Sequence, residues 1–484
     1  MKIKFTLAVM IVCILGFNSC QNDDDTPEPS ASVNDFVWKA MNLWYYWQSD
    51  VPGLADNRFS SDSEYNQFLN SMQTDELFYN LLYNYGTTDR FSWIVDDYHD
   101  LENQFAGVNT TFGINYGLVY LNQNSNQIFG YVQYVLPNSP ASNAGIQRGD
   151  IFTRINGTDL TDANYAGLLG ANSATFGMGY LDNGQLYDLD EEHNLTRVEM
   201  QENPVYLTTV IQDGAHAIGY IVYNGFRANF NDELNTAIGE LQGQGITDLV
   251  IDLRYNGGGS VLTSSYFGSM ITGEFTGNNF TKLTFNEKAS DNNTNYEFTD
   301  EGKIYNDNLD ETGEFTINHL NLNQVYIITM PGTASASEML ISCLKPYINV
   351  VTIGTQTYGK TVGSITLYDS PSTYYTSTDN INTSHTWAMQ PIVFEYRNAE
   401  NQSSPTQGII PDEEVNEINY LEDLQPLGDV DEPLLAAAID RITGGSRRAT
   451  IPATTTAARL YKNSNIMLRF GTEMYLEKGF QFKP

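Results

Sequence analysis

The sequence predicts an α/β protein of several domains, and three stretches of different periodicity support this prediction. Residues 34–104 carry apolar and aromatic side chains at helical spacing, whereas residues 108–208 alternate in the manner of β-strands. Residues 217–431 alternate between short apolar strands and amphipathic helices, which is typical of a buried parallel sheet. A chain of 484 residues is long enough for about two to four such domains.

The balance of charged residues limits the classes of partner. The chain has 59 acidic and 24 basic side chains, which gives a formal net charge of −35 at pH 7. This excess of negative charge argues against a nucleic-acid partner and favours solubility outside the cell. The five histidines show no metal-binding spacing and no His-Glu-x-x-His sequence, so we expect neither a metal nor a cofactor.

Residues 1–19 have the features of a signal peptide. Lys2 and Lys4 precede an apolar run at residues 5–17 that is too short to span a bilayer. Small residues and Cys20 follow, an arrangement that resembles a bacterial lipoprotein signal and predicts acylation of Cys20. The resemblance implies a cell-envelope protein, lipid-anchored to the outer membrane and either periplasmic or surface-exposed; ordinary secretion is the alternative. Residues 20–33 are polar and form a predicted tether.

The first folded segment, residues 34–105, is predicted to be a helical domain. Its opening stretch is densely aromatic, Ser61-x-x-Glu64 has the spacing of a capping box, and Thr74 is the predicted cap of a third helix. We expect its aromatic side chains to form a core rather than a binding site.

Residues 106–208 are predicted to form a β domain with several tight turns. Ser139-Pro140-Ala141, Arg148-Gly149-Asp150 and Asn156-Gly157 give this segment a resemblance to a PDZ domain of the bacterial protease type. The loop Phe112-Gly113-Ile114 is then the expected peptide-binding element, because its backbone N–H groups can hold a terminal carboxylate. An unrelated small β module that uses similar turns is the alternative.

Ser335 stands at the predicted start of a helix in the third segment, residues 209–444. Ser335-x-x-Glu338 has the spacing of a capping box, and apolar residues follow at helical spacing up to Pro346. Helix capping alone is the simpler interpretation of this serine. A catalytic interpretation is compatible with it, because the free N–H groups and the dipole of a helix start favour a nearby oxyanion.

A catalytic serine needs a base and hydrogen-bond donors for the oxyanion. Lys360 follows a predicted strand and is the candidate base, with His319 and His385 as alternatives. The candidate donors are the N–H of Ala336 and a glycine loop at residues 252–259, where consecutive glycines allow backbone N–H groups to approach a ligand closely. On its own, a glycine-rich loop after a strand is more often a simple turn.

Three motifs taken together resemble one family. Ser-Ala-Ser-Glu at 335–338, Gly-Lys at 359–360 and Asp-Leu-Arg-x-Asn-Gly-Gly-Gly at 252–259 are similar to the motifs of the C-terminal processing (tail-specific) proteases. These are S41-type serine peptidases with a Ser–Lys dyad and a PDZ domain. The resemblance covers roughly residues 35–442 and implies a ClpP/crotonase-like α/β peptidase core over residues 209–444.

The resemblance assigns roles to individual residues. It implies a nucleophile, a general base and an oxyanion hole: Ser335, Lys360, and Gly258 or Gly259 with Ala336. Many family members carry a glutamine four residues after the lysine; Ser364 occupies that position here and is the candidate for orienting Lys360. A free lysine has a pKa of about 10.4, so burial must lower the pKa of Lys360 before it can accept a proton near pH 7.

The predicted function is that of a serine endopeptidase that cleaves envelope or extracellular proteins and recognises peptide C-termini through its PDZ domain. Two alternatives stay open at this stage: a non-catalytic peptide- or ligand-binding surface lipoprotein on the same scaffold, and a structural envelope protein. Cys343 would be the remaining cysteine of the mature chain, and we expect it to be a small core residue.

Residues 445–484 form a C-terminal extension outside the resemblance, which we call the tail. Its basic side chains outnumber its two acidic ones, Glu473 and Glu477; the basic residues are Arg447, Arg448, Arg459, Lys462, Arg469, Lys478 and Lys483. Three interpretations of the tail are open: a plain accessory extension, a segment that docks on the acidic body, or a self-inhibiting segment that occupies the active site.

Overall fold

The computed structural model describes residues 31–120, 122, 125–445, 458–467, 471–478 and 480–483. The predicted signal peptide, its Cys20 and most of the predicted tether lie outside these residues. Within the described part of the chain, none of the helices combines the length and the apolar character that crossing a membrane would require.

The N-terminal segment is helical, as its periodicity predicts. Ser61 caps the second helix by accepting the backbone N–H of Glu64, but Thr74 is the first residue of the third helix rather than its cap. Most of the aromatic side chains are buried or half-buried in a cluster that continues into the α/β core, which confirms their predicted role. The α-helices span Ala31–Trp44, Asp62–Leu69, Thr74–Asn80 and Tyr98–Phe105.

The middle segment is a β domain with an apolar cluster of its own, to which Phe152 and Phe176 belong. Short helices at Pro140–Asn143 and Tyr165–Leu169 flank its sheet, and Val108–Thr111 pairs with Val198–Gln201. A strand from the tail forms one edge of the sheet. The spatial order is Arg459–Asn463, Ile114–Tyr120, Ile128–Val135, Ile151–Ile155, Ser173–Asp182 and Gln185–Thr196, with Thr158–Asp159 beside Ile151–Ile155.

The third segment is built on a mostly parallel sheet. Its order is Val205–Asp213, His216–Tyr223, Asp248–Asp252, Gln324–Thr329, Asn349–Gly354 and Glu413–Glu414, and only the first pair is antiparallel. The predicted domain boundary at residue 208 therefore falls inside a strand of this sheet. Because parallel strands end at the same edge, the loops that follow residues 252, 329 and 354 come together there.

A second sheet meets the first at this edge, and a tail strand lies inside it. Its order is Gly259–Ser260, Met474–Tyr475, Val362–Ser364, Ile392–Arg397, Asn279–Phe285 and Thr294–Glu297. The α-helices of this segment are Asn231–Gly243, Val261–Thr272, Ala336–Leu344 and Pro433–Thr443. Smaller elements are the hairpin Glu301–Tyr305 with Glu311–Thr316, and a sheet of Trp93–Val95, Ala388–Gln390 and Leu367–Tyr368.

Candidate active site

Ser335 lies in a strained backbone turn at the start of the helix Ala336–Leu344. Its φ of 63° and ψ of −116° are rare for a residue with a side chain, and such strain is concentrated at functional sites. The side chain is buried. The Glu338 half of the predicted capping box is present, since its carboxylate accepts the Ser335 N–H at 2.9 Å, whereas Ser335 Oγ makes no hydrogen bond within the described part of the chain.

The carboxylate of Glu338 ties the serine turn to the lysine turn. Its Oε2 accepts the backbone N–H of Ser335 and that of Lys360, both at 2.9 Å. Its Oε1 accepts the N–H of Gly359 at 2.8 Å and the hydroxyl of Thr357. Two backbone nitrogens that share one oxygen can be no further apart than twice that bond length, so Ser335 and Lys360 are neighbours.

Lys360 is completely buried at this point. Burial lowers the pKa of its ammonium group, and the carboxylate of Glu473 opposes that shift. The Nζ atom lies 3.3 Å from Glu473 Oε2 and 5.1 Å from the centre of the Phe91 ring. The lysine side chain is therefore in the dry environment that a neutral amine requires, but it has a carboxylate partner.

The glycine loop borders the serine. A Cβ added to Gly258 would lie 2.7 Å from Ser335 Cβ and 2.9 Å from the Ala336 nitrogen, so the predicted oxyanion residues do come together. Gly258 has a φ of 109° and Gly259 a φ of 136°, which side-chain-bearing residues rarely adopt. The N–H of Gly258 donates to Asn256 Oδ1 at 2.9 Å, and that of Gly259 donates to the carbonyl oxygen of Glu473 at 2.6 Å.

A buried ionic network holds the first residues of the glycine loop. The guanidinium of Arg254 donates to the carboxylates of Asp252, Glu417 and Glu432, and Arg148 from the β domain also reaches Glu417, at 2.8 Å. Burial raises the pKa of Glu417, but the two arginines outweigh it and bring the pKa to about 2. The network thereby connects the β domain to the loop that carries Gly258.

Glu473 of the tail is a site residue that the sequence reasoning missed. Its Oε2 accepts the hydroxyl of Ser364 at 2.9 Å, and its Oε1 accepts the indole N–H of Trp93 at 2.9 Å. Ser364, the candidate for orienting Lys360, thus reaches the lysine through Glu473. Residues 89–94, which resemble a short motif that precedes the PDZ domain in this peptidase family, supply both Phe91 and Trp93.

The other candidate residues lie elsewhere. His319 Nδ1 contacts the carbonyl oxygen of Ser269, and His385 Nε2 contacts Asp369. Since Ser335 Oγ has no hydrogen-bond partner among the described residues, neither imidazole is hydrogen-bonded to it, and neither is Lys360 Nζ. Cys343 is buried in the core, and burial raises the pKa of its thiol to about 12, as expected of an inert core residue.

The predicted peptide-binding loop opens the edge strand of the β domain. Gly113 has a φ of 81°, and its N–H donates to Thr111 Oγ1 at 3.0 Å. Phe112 is buried, and its carbonyl oxygen accepts the N–H of Ala141. Ile114 begins the strand Ile114–Tyr120, whose free edge is covered by the tail strand Arg459–Asn463.

Comparison with known families decides the classification. The sequence model of peptidase family S41 matches residues 217–415, and that of the peptidase S41 N-terminal domain matches residues 32–93. The chain therefore carries a peptidase S41 domain preceded by an S41 N-terminal domain. A PDZ domain model matches residues 131–174, so the predicted order of helical domain, PDZ domain and α/β peptidase core is confirmed. These domains make a serine-type protease that acts on protein or peptide substrates the coarse function.

Individual relatives agree with this classification. The chain is 26% identical to a carboxyl-terminal-processing protease of Synechocystis, over 70% of this chain and 71% of that protein. It is 32% identical to a protein of the same name from Picosynechococcus, over 26% of this chain and 30% of the other. The fold is similar to that of a putative S41 protease from Bacteroides fragilis, with a TM-score of 0.65 and 24% identity. The match covers 84% of this chain and 97% of the other.

Proposed function

We propose that the protein is a serine endopeptidase in which Ser335 is the nucleophile and Lys360 is its general base. Both side chains are buried, and one carboxylate oxygen of Glu338 holds the backbones of both residues. The strained turn at Ser335 places its Cβ beside Gly258 of the glycine loop, and its hydroxyl has no hydrogen-bond partner among the described residues. These features support a nucleophile that is poised for a base to approach it.

The single observation that carries the proposal is a peptide carbonyl on a predicted oxyanion donor. The carbonyl oxygen of Glu473 accepts the Gly259 N–H at 2.6 Å. A Cβ atom added to Gly258 would lie 2.6 Å from this oxygen and 2.7 Å from Ser335 Cβ. The carbonyl oxygen of Glu473 and the side chain of Ser335 therefore both lie next to Gly258. An oxyanion hole aims amide donors at a carbonyl beside the nucleophile, and the Gly259 N–H is one such donor here.

The chemistry follows from these positions. A neutral Lys360 takes the proton of Ser335 Oγ as that oxygen attacks the scissile carbonyl, and the N–H groups of Gly258 or Gly259 and Ala336 stabilise the oxyanion. The lysine then protonates the leaving amine, and water hydrolyses the acyl-enzyme. Keeping a free lysine neutral at pH 7 costs roughly 4–5 kcal/mol, and the burial of Lys360 supplies a shift in the required direction.

The PDZ domain is the proposed site of substrate capture. A peptide would add as a strand along Ile114–Tyr120 with its terminal carboxylate at Phe112-Gly113-Ile114. We further propose that Cys20 is acylated and that the substrates are envelope or extracellular proteins. Loss of membrane association in a Cys20→Ser variant would support the anchor; unchanged membrane association of that variant would contradict it.

Substitution of the two proposed catalytic residues tests the function. Ser335→Ala and Lys360→Ala should each lower the cleavage of casein or of a tail peptide by at least about a thousandfold, with peptide binding retained. Ser342→Ala is the matched control, because this serine lies on the same helix as the site. Cleavage that survives Ser335→Ala contradicts the proposal. Peptide binding without cleavage at any pH, in the unsubstituted protein and in Glu473→Gln alike, would favour a non-catalytic binder.

A further inference from the structure

The tail lies in both peptide-binding places of the molecule. Its strand Arg459–Asn463 occupies the edge of the PDZ domain, and its strand Met474–Tyr475 occupies the second sheet beside the candidate active site. Each segment is bound by strand addition, which is how an extended peptide binds an open sheet edge.

The first segment is bound as a PDZ ligand would be. It pairs antiparallel with Ile114–Tyr120, from Arg459 opposite Tyr120 to Asn463 opposite Gly117, so it runs toward the loop Phe112-Gly113-Ile114. Tyr165, the first residue of the short helix Tyr165–Leu169, contacts this segment from the other side.

Side-chain contacts fix this first segment. Lys462 Nζ donates to the hydroxyl of Tyr165 at 2.8 Å. The Tyr461 ring lies 4.9 Å from that of Tyr120 and 5.6 Å from that of Tyr165, measured between ring centres. Further along, Ser464 Oγ accepts the backbone N–H of Tyr116 at 3.1 Å. The groove is therefore filled on both walls.

The second segment fills the groove between Gly259–Ser260 and Ser364, which we call the catalytic groove. Met474–Tyr475 pairs in parallel with Gly259–Ser260 on one side and with Ser364 on the other. The side chain of Met474 is completely buried. Gly257 has no room for a Cβ, because the carbonyl oxygen of Gly471 would be only 1.6 Å away. No space is left for a second peptide along this strand.

Glu473 places its carboxylate where it opposes catalysis. Its contact with Lys360 Nζ at 3.3 Å favours the protonated lysine, and a protonated lysine cannot accept the proton of Ser335. The carbonyl oxygen of the same residue occupies the N–H of Gly259. One tail residue therefore pairs with the base and occupies an oxyanion donor, which explains how a peptide can lie in the groove without being cleaved.

We propose that the tail segments 459–467 and 471–478 are an intramolecular peptide ligand that fills the PDZ groove and the catalytic groove together and holds the peptidase inactive. The inference rests on the proposed function of Ser335 and Lys360. The expected competitor is an extended peptide that adds to the strand Ile114–Tyr120. Such a peptide displaces the first segment and thereby weakens the binding of the second segment, because the two segments are joined in one chain.

Point variants of the full chain test this inference without truncation. Glu473→Gln removes the carboxylate that pairs with Lys360, and Tyr461→Ser removes the aromatic contacts in the PDZ groove. Glu400→Gln is the matched control, because Glu400 is an exposed acidic residue on another surface. The readouts are the rate of fluorescein-casein cleavage, its pH profile, and hydrogen exchange of the Gly259 amide.

The inference predicts that Glu473→Gln raises the rate by at least about tenfold and moves the rising limb of the pH profile to lower pH, since Lys360 then titrates without its carboxylate. Tyr461→Ser should raise the rate by a few-fold, and a synthetic peptide of residues 471–483 should inhibit the Glu473→Gln variant competitively. Rates within about twofold of the control, with cleavage still dependent on Ser335, would overturn the inference and leave the proposed function intact.

Two further outcomes separate the hypotheses. Release by the unsubstituted protein of a fragment that begins at Met474 would overturn the inference, because the tail would then be a substrate. If no variant shows Ser335-dependent cleavage, the proposed function fails. Occupancy of the catalytic groove by the tail is then judged from hydrogen exchange of the Gly259 amide alone. Faster exchange of the Gly259 amide in Glu473→Gln than in Glu400→Gln supports a displaceable ligand; equal exchange in both variants overturns it.

Discussion

Glu338 offers the sharpest prediction about how the site is assembled. Its carboxylate accepts three backbone N–H groups and the Thr357 hydroxyl, and the donors include the backbones of Ser335 and Lys360. Burial raises the pKa of this carboxyl group and its four hydrogen-bond donors oppose that shift, so the site depends on both carboxylate oxygens as acceptors. Replacing Glu338 by glutamine and by alanine should therefore give different results.

The magnitudes follow from the count of donors. In Glu338→Gln the new NH₂ group does best beside Thr357, whose hydroxyl can turn to accept from it, and only the Gly359 N–H loses its partner. One unsatisfied buried donor costs about 1–3 kcal/mol of the free energy of unfolding. In Glu338→Ala the N–H groups of Ser335, Gly359 and Lys360 all lose their partner, so we expect a loss of at least about 3 kcal/mol.

Activity should separate the two variants further. Glu338→Gln keeps the oxygen that holds Ser335 and Lys360, so its kcat should stay within about tenfold of the unsubstituted protein, whereas kcat of Glu338→Ala should fall by at least about a hundredfold. Urea unfolding and casein cleavage measure the two effects, with Glu400→Gln as the control. The reasoning is refuted if Glu338→Ala unfolds at the same urea concentration as the control and cleaves at the same rate.

Three further predictions concern charge and space. Burial lowers the pKa of Lys360, so cleavage should rise with pH through a midpoint below about 10.5, and a midpoint at or above that value contradicts a buried base. Glu417 has a folded-state pKa of about 2, below its unfolded pKa of about 4.3, so its ionised form contributes about 3 kcal/mol to the free energy of unfolding. This contribution is present above the unfolded pKa and is lost as pH falls toward 2. Urea unfolding at pH 3 and pH 7 should show the loss for the unsubstituted protein and much less of it for Glu417→Gln. Gly258→Ala would place a methyl group 2.7 Å from Ser335 Cβ, so cleavage should fall by at least about a hundredfold, and full activity of this variant would show that the loop does not border the reacting carbonyl.

The assembly of the candidate site follows from motifs that the sequence places after strands. Asp252, Thr329 and Gly354 each end a strand, and these strands are parallel neighbours in one sheet. Periodicity alone predicts such strands, and the geometry of a parallel sheet then requires the following loops to meet. The proximity of the glycine loop, Ser335 and Lys360 was therefore accessible to sequence reasoning.

The tail contacts were not accessible in the same way. Glu473 is 113 residues from Lys360 along the chain, and nothing local marks it as a partner of a buried lysine. The tail is rich in basic residues, which predicts docking on an acidic surface through those residues. The structure instead buries its two acidic residues, Glu473 against Lys360 and Glu477 against Ser260 and the Leu262 N–H. Composition gives the average charge of a segment, whereas strand register decides which side chains are buried.

Covalent labelling of the serine is the most direct test of the account's central claim, that a buried lysine activates Ser335. The Glu473→Gln variant would be treated with a fluorophosphonate and the adduct located by peptide mass spectrometry, with and without the additional change Lys360→Ala. We expect a single adduct, on Ser335, and we expect it to form at least about a hundredfold more slowly when Lys360→Ala is also present. An adduct on another serine, or labelling of Ser335 that is indifferent to Lys360→Ala, would contradict it.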